Sequence, residues 1–343
     1  MFDFCGQNLK SRIFLAPLAG FTDAGFRALC AENEAGLTYT EMVSAKGMCY
    51  GNPGTEALLY RDASDRDCAV QLFGSEPEFM FRAAGDARLS PFGIIDINMG
   101  CPVKKVFSNG DGSALMLRPE LICDVVRAAA EGSGKPVTVK LRAGVRANTP
   151  LAAECALAAV RGGARAVTVH PRFREQMYGG RADHSLTAEV ARAVDVPVVA
   201  SGDITDGESF WRIRRESRAD AFMIGRGALG RPWIFRVLDR LDRLSDADVF
   251  ADDGTGAPRE DALLYAEELT AEARDDFDAY AAVQRHVDIL LRVLPERSVA
   301  NSMKLHLCHY AKNTRGAKAV RLAIASVHDV SDVLAVAREH LSR

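Results

Sequence analysis

No two of the eight cysteines are spaced Cys-x-x-Cys; they stand at 5, 30, 49, 68, 101, 123, 155 and 308. That scatter argues against a paired redox motif or a zinc ribbon. For seven of them the reading is a small apolar side chain, buried and kept reduced. No run is apolar and long enough to cross a bilayer, which takes about 20 residues. Residues 1–12 lack the apolar core of a secretory leader, so a cytoplasmic location is expected. An excess of charge is missing too. Lys and Arg total 43 against 46 Asp and Glu, a net of −3. Total charge therefore does not mark a nucleic-acid binder, and only a local excess of basic residues can do so.

What is present is a regular alternation. The chain has 343 residues, 48% of them apolar, enough for one barrel of about 250 residues plus an appendage. Eight short, mostly β-branched runs, at 13–16, 37–40, 69–72, 94–98, 137–141, 166–170, 198–201 and 221–224, read as strands buried on both faces. Helical patterns lie between them, at 77–89, 119–132, 150–162 and 185–194, several opening on Pro and closing on Gly. Eight β-then-α units predict a (β/α)₈ TIM barrel, with a doubly wound sheet as the alternative.

The pattern changes near residue 240. Residues 245–261 read as a linker, and helices are predicted at 261–280, 282–294, 298–310, 316–326 and 330–341. The expected division is a barrel over 1–244, then a linker and all-helical domain over 245–343. Acids dominate the first of these helices. From 297 to 328 there is no acid, while Arg297, Lys304, Lys312, Arg315, Lys318 and Arg321 are present with His306, His309 and His328. That stretch is either a solvated basic face or a phosphate-binding surface.

Barrel chemistry sits at the C-terminal strand ends. Those ends supply Pro17-Leu18-Ala19-Gly20, Glu41-Met42, Gln71, Asn98 with Cys101, Lys140 with Arg142, His170 with Arg172, Ser201-Gly202-Asp203 and Gly225-Arg226-Gly227. A purely structural barrel needs no such ring. The last two elements suit a phosphate, because small residues let backbone N–H groups approach oxygens. Gly225 to Gly230 also match G-x-G-x-x-G, but after the eighth strand, where no second βαβ half follows to make a dinucleotide site. Lys140 ends a buried strand and needs an anion. Cys101 stands between Gly100 and Pro102, and a thiol with an ordinary pKa near 8.5 is a proton donor at neutral pH. His306-x-x-His309 has no carboxylate or thiolate at matching positions, so no metal is expected. Arg142, Arg172, Arg174, Arg181, Arg226 and Arg231 make the rim basic.

These motifs together resemble the tRNA-dihydrouridine synthase family. The resemblance runs from Ala16-Pro17-Leu18-Ala19-Gly20-Phe21-Thr22-Asp23 through Gln71-Leu72-Phe73-Gly74 to the signature Asp96-Ile97-Asn98-Met99-Gly100-Cys101-Pro102. It continues in Val139-Lys140-Leu141-Arg142, Thr168-Val169-His170-Pro171-Arg172, Gly202-Asp203-Ile204 and Met223-Ile224-Gly225-Arg226-Gly227, and ends at Lys304-Leu305-His306 with Tyr310. Ser201, Phe173 and His184 depart from the residues the family often has there.

The resemblance implies an FMN-binding barrel with a helical tRNA-binding domain, with NADPH as reductant; a monomer is the default expectation. The reaction implied is reduction of tRNA uridines to 5,6-dihydrouridine, with hydride passing from flavin N5 to uracil C6 and a proton from Cys101 to C5. By resemblance Pro17, Leu18, Ala19, Gln71, Lys140, His170, Ser201, Gly202, Asp203, Gly225 and Arg226 would hold FMN. Asn98, Arg142, Arg172 and Tyr178 would meet the substrate base, and Lys304 and His306 the RNA. Two alternatives stay open: a flavin barrel reducing a small enone or pyrimidine, and a tRNA-binding flavoprotein without catalysis.

Overall fold

The computed structural model describes residues 1–251, 256–312 and 316–342. Eight parallel strands form the barrel: β1 (Ile13–Leu15), β2 (Thr38–Tyr39), β3 (Cys68–Phe73), β4 (Ile94–Met99), β5 (Val137–Gly144), β6 (Ala164–Phe173), β7 (Val198–Ser201) and β8 (Ala221–Ile224). β8 pairs with β1 in parallel, and the ring closes where Leu15 donates its N–H to the Leu37 carbonyl at 2.9 Å. All eight predicted strands are present. β5 and β6 run on past the apolar run, and this extension carries Arg142 and Arg172 inside strands rather than in loops.

The lower end is plugged. A hairpin of Phe2–Phe4 and Gln7–Leu9 sets Phe4 and Leu9 against Phe14, Ala69, Ile94, Ala166, Val199 and Ala221 at the starts of the strands. Phe4 meets Phe14 edge to face at 5.0 Å, and a fully buried Phe contributes about 1.5–3 kcal/mol. With the bottom filled, the polar strand ends at the top are the open face.

The outer helices follow their sequence signals. α3 (Pro119–Ser133) starts on Pro at its first turn, ends on Gly134 at φ 61°, and buries Ile122, Val125, Val126 and Ala129. The predicted helix at 77–89 is broken: α2 spans Pro77–Ala84, and a 3₁₀ turn capped by Asp86 follows. At the break, a Cβ on Gly85 would lie 2.8 Å from the Gly132 carbonyl, so α2 and α3 cross there in close contact.

The C-terminal helices are α8 (Glu260–Asp276), α9 (Ala279–Leu290), α10 (Glu296–Tyr310), α11 (Ala317–Ala323) and α12 (Val330–Leu341), counted after α1 (Ala24–Glu32), α4 (Ala152–Arg161), α5 (His184–Ala193), α6 (Gly207–Ser217) and α7 (Ile234–Asp242). They are packed on the barrel. Ala266, Leu269 and Ala273 of α8 share one core with Trp211 and Leu241, and Leu29 of α1 joins the core of α9, α10 and α12. The predicted linker is partly ordered. Ser245 caps a short helix, Asp246–Val249, and Phe250 bridges to Pro258, while 252–255 lie outside the described residues. Arg315 of the basic stretch also lies outside them.

Candidate active site

The strand tops converge through a chain of buried polar contacts. Asp96 in β4 is fully buried and accepts from Thr138 Oγ1 at 2.6 Å and Gln71 Nε2 at 2.7 Å. Gln71 Oε1 in turn accepts from Asn98 Nδ2 at 2.8 Å. Burial raises the Asp96 carboxyl to about 6, against the pull of Thr138, Gln71 and Lys140. Lys140 is lowered to about 8 by burial and by Arg142, against the attraction of Asp96. Among the described residues its amine has no hydrogen bond or ion pair. His170 is held well below its usual pKa by burial and by Lys140, Arg142 and Arg172. The mouth therefore holds a neutral imidazole beside a partly buried amine with no hydrogen-bonded anion among the described residues.

Cys101 is pinned from three sides. Asn98 Oδ1 accepts from the N–H groups of Gly100 at 3.1 Å and Cys101 at 2.9 Å. Arg142 Nε donates to the Gly100 carbonyl at 2.8 Å. Ser113 Oγ donates to the Cys101 carbonyl at 2.8 Å. The residue is 9% exposed. Burial pushes the thiol above its ordinary pKa, although the Val103 N–H and Arg142 act the other way. A thiol so held keeps its proton at neutral pH and can give it to a substrate.

Asn98, Arg142 and Arg172, expected to face a substrate base, each make hydrogen bonds within the protein. The Asn98 amide spends both ends on Gln71 and the Cys101 loop. Arg142 is 2% exposed and also donates to the Met177 carbonyl at 2.8 Å. Arg172 is 2% exposed and donates to the carbonyls of Gly179 (3.1 Å) and Gly180 (2.7 Å) and to Asp203 at 2.8 Å. Between these two arginines the chain turns outward and presents Tyr178, 47% exposed. Guanidinium carbons of Arg142 and Arg226 lie 5.6 and 5.3 Å from the centroid of the Tyr178 ring.

The β7 and β8 ends form the small-residue side. Gly202 has φ 116° and Asp203 φ 59°. A Cβ on Gly202 would fall 2.8 Å from His170 Cδ2, so only glycine permits that approach. His184 Nε2 lies 3.1 Å from the Gly202 carbonyl. Ser201 is buried, Gly225 half-buried and Arg226 exposed, while Pro17 and Leu18 are half-buried and Ala19 exposed at the same rim.

His306 is not at an RNA-facing surface. It is fully buried, its Nε2 lying 3.2 Å from Asp23 Oδ2, while His286 Nε2 lies 2.8 Å from Asp23 Oδ1. Asp23 also caps α1 through Phe26 N–H. Donor atoms of these three residues lie within 4.8 Å of one another. Lys304, two residues before, is half-buried and Leu305 is 52% exposed, so the outer face of α10 begins there. His286 belongs to no motif, and its partner is 263 residues away. Asp96 and Asp23 stand inside the motifs that carry the resemblance, but spacing alone gives neither a task.

Known proteins are similar to this chain in fold or in sequence. A barrel structure, "X-structure of a variant of NCR from zymomonas mobilis", superposes with a TM-score of 0.52 at 17% identity, covering 71% of this chain and 91% of that one. tRNA-dihydrouridine synthase B of Pasteurella multocida is 39% identical over 234 residues, 68% of this chain and 70% of that protein. The probable tRNA-dihydrouridine synthase of Treponema pallidum is 33% identical over 322 residues, 90% and 87% of the two chains. The family model "Dihydrouridine synthase (Dus)" matches residues 14–343. The chain belongs to the dihydrouridine synthase family.

Proposed function

We propose that this protein reduces uridines of tRNA to 5,6-dihydrouridine in the cytoplasm. The observation that carries the reading is Cys101: a protonated thiol, clamped by Asn98, Arg142 and Ser113, at the open end of a barrel. FMN fits the residues opposite. The Lys140 amine makes no hydrogen bond or ion pair among the described residues, His170 is neutral, and the positive-φ turn at Gly202 and Asp203 lies beside Arg226. Pro17, Leu18, Ala19, Gln71, Ser201 and Gly225 would complete its bed. FMN, reduced by NADPH, supplies the hydride.

The protein's own part is positioning and proton transfer. Cys101 gives its thiol proton to C5 of the uracil and is reprotonated from solvent. Lys140 stabilises negative charge near the cofactor. Tyr178, backed by two arginines, stacks on the target nucleotide once it has left its own stack. Residues 245–343 act as the tRNA-binding part beside a catalytic barrel over 1–244, with Lys304 on the contact face. The test is nucleoside mass spectrometry of unmodified tRNA incubated with protein, FMN and NADPH, beside Cys101→Ala. A gain of two mass units on uridine, abolished in the variant, is expected. Steady NADPH oxidation with no mass shift would instead favour a small-molecule reductase.

A further inference from the structure

Of the six arginines that the sequence places around the barrel mouth, five have a protein acceptor. Arg142 and Arg172 hold loop carbonyls, and Arg231 holds those of Thr205 and Gly227. Arg181 pairs with Glu216 at 3.4 Å and Arg226 with Asp203 at 3.7 Å. Arg174 is the sixth. Its Nε is buried and has no hydrogen-bond partner, and its guanidinium has no ion pair among the described residues. What holds it is a ring: its guanidinium carbon lies 3.8 Å from the centroid of Phe107.

Phe107 belongs to the short helix Lys104–Ser108, which follows the Cys101 turn. Arg174 is therefore stacked on the segment that carries the proton donor. No acid answers its charge. The adjacent Glu175 turns away and accepts from Ala147 N–H at 3.1 Å. Arg142 is close enough for its own charge to be disfavoured by Arg174. Lys104 and Lys105 are exposed on the same short helix. A partly desolvated guanidinium with no acceptor, in a cluster of cations, is costly unless an anion completes it. The planar fork stacked on an aromatic ring is the arrangement that receives phosphate oxygens side-on.

We propose that Arg174 binds a phosphodiester of the nucleic-acid substrate, at the nucleotide flanking the one presented to Cys101. This rests on the reading of the protein as a tRNA reductase, and it names the interaction by which a polynucleotide is distinguished from free uridine. Phe107 fixes the plane of the guanidinium, and Lys104 and Lys105 add screening-sensitive attraction. Arg142 and Arg172 each hold loop carbonyls, whereas the Arg174 guanidinium makes no hydrogen bond or ion pair among the described residues.

The test is tRNA affinity of the full-length protein across a sodium chloride series, for wild type, Arg174→Gln, Arg174→Lys and the rim control Arg181→Gln. Removing one protein–phosphate interaction reduces the slope of log affinity against log salt by about 0.7–0.9. Arg174→Gln is expected to show that reduction, with affinity and KM for tRNA about tenfold weaker and FMN retention as in wild type. Arg174→Lys should recover the slope but only part of the affinity, because it keeps the charge without the stacked fork. Arg181→Gln should leave the slope alone. A wild-type slope and affinity in Arg174→Gln would overturn the proposal. Absence of salt-dependent tRNA binding in the wild type itself would instead overturn the functional reading on which it rests.

Discussion

Cys101 and Asp96 are set apart from ordinary residues of their kind by burial. The Cys101 thiol is raised, so it stays a donor through neutral pH and loses its proton only as the solution becomes alkaline. Single-turnover reduction should fall on the alkaline side of the profile, and Cys101→Ala should slow it by about 10²–10⁴-fold, the usual worth of a positioned acid. Asp96 is raised to about 6 from an unfolded value near 3.9. Between those values the folded state holds more protons than the unfolded one, so this group makes stability fall as pH rises from about 4 to about 6. Urea unfolding at pH 4.5 and 6.5 should show this as a difference: measured against Asp96→Asn, wild type should lose stability between the lower pH and the higher. A difference between the two proteins that is the same at both pH values would overturn that assignment.

At the level of elements, glycines mark where segments touch. A Cβ on Gly230, at φ 73°, would lie 2.0 Å from the His309 carbonyl at the end of α10. Gly230→Ala is expected to cost more than about 1 kcal/mol, read as a drop in urea midpoint, because neither backbone can yield. Gly112 stands the same way against Cys101, whose Cβ would be 2.9 Å from an added methyl. The barrel is legible in the sequence because the strands are near-continuous apolar runs. Lys140 and His170 stand out in the sequence because a basic group ending such a run has to be accounted for. Asn98, Arg142 and Arg172 are expected to face a substrate, but a strand end says nothing about which way a long polar side chain turns. Here nearby carbonyls and N–H groups, exposed by the Cys101 and Tyr178 turns, claim them first. His306 departs from expectation for a related reason: its acceptor, Asp23, lies 283 residues earlier, beyond any local pattern.

Across the whole molecule, that same carboxylate joins the first barrel loop to α9 and α10. Asp23 is held well below the usual carboxyl range; burial alone would raise it, and His286 and His306 overcome that. His306 is lowered by burial and by His286. Both shifts act in one direction. Below about pH 6.5 the unfolded chain takes up a proton that buried His306 refuses, and at lower pH the stability supplied by Asp23 is lost as well. Chemical unfolding followed from pH 7.5 to 5 should show this decline, and His306→Gln, which still donates to Asp23, should decline less on acidification than wild type. An equal decline would place the sensitivity elsewhere. The arrangement also has a bearing on synthesis. The loop 17–23 leaves the ribosome early, yet the imidazoles that its aspartate accepts from come 263 and 283 residues later. At about 5–20 residues per second, roughly 15–60 s pass before both are made, so a nascent chain holds a nearly finished barrel whose first loop is still waiting for its partners.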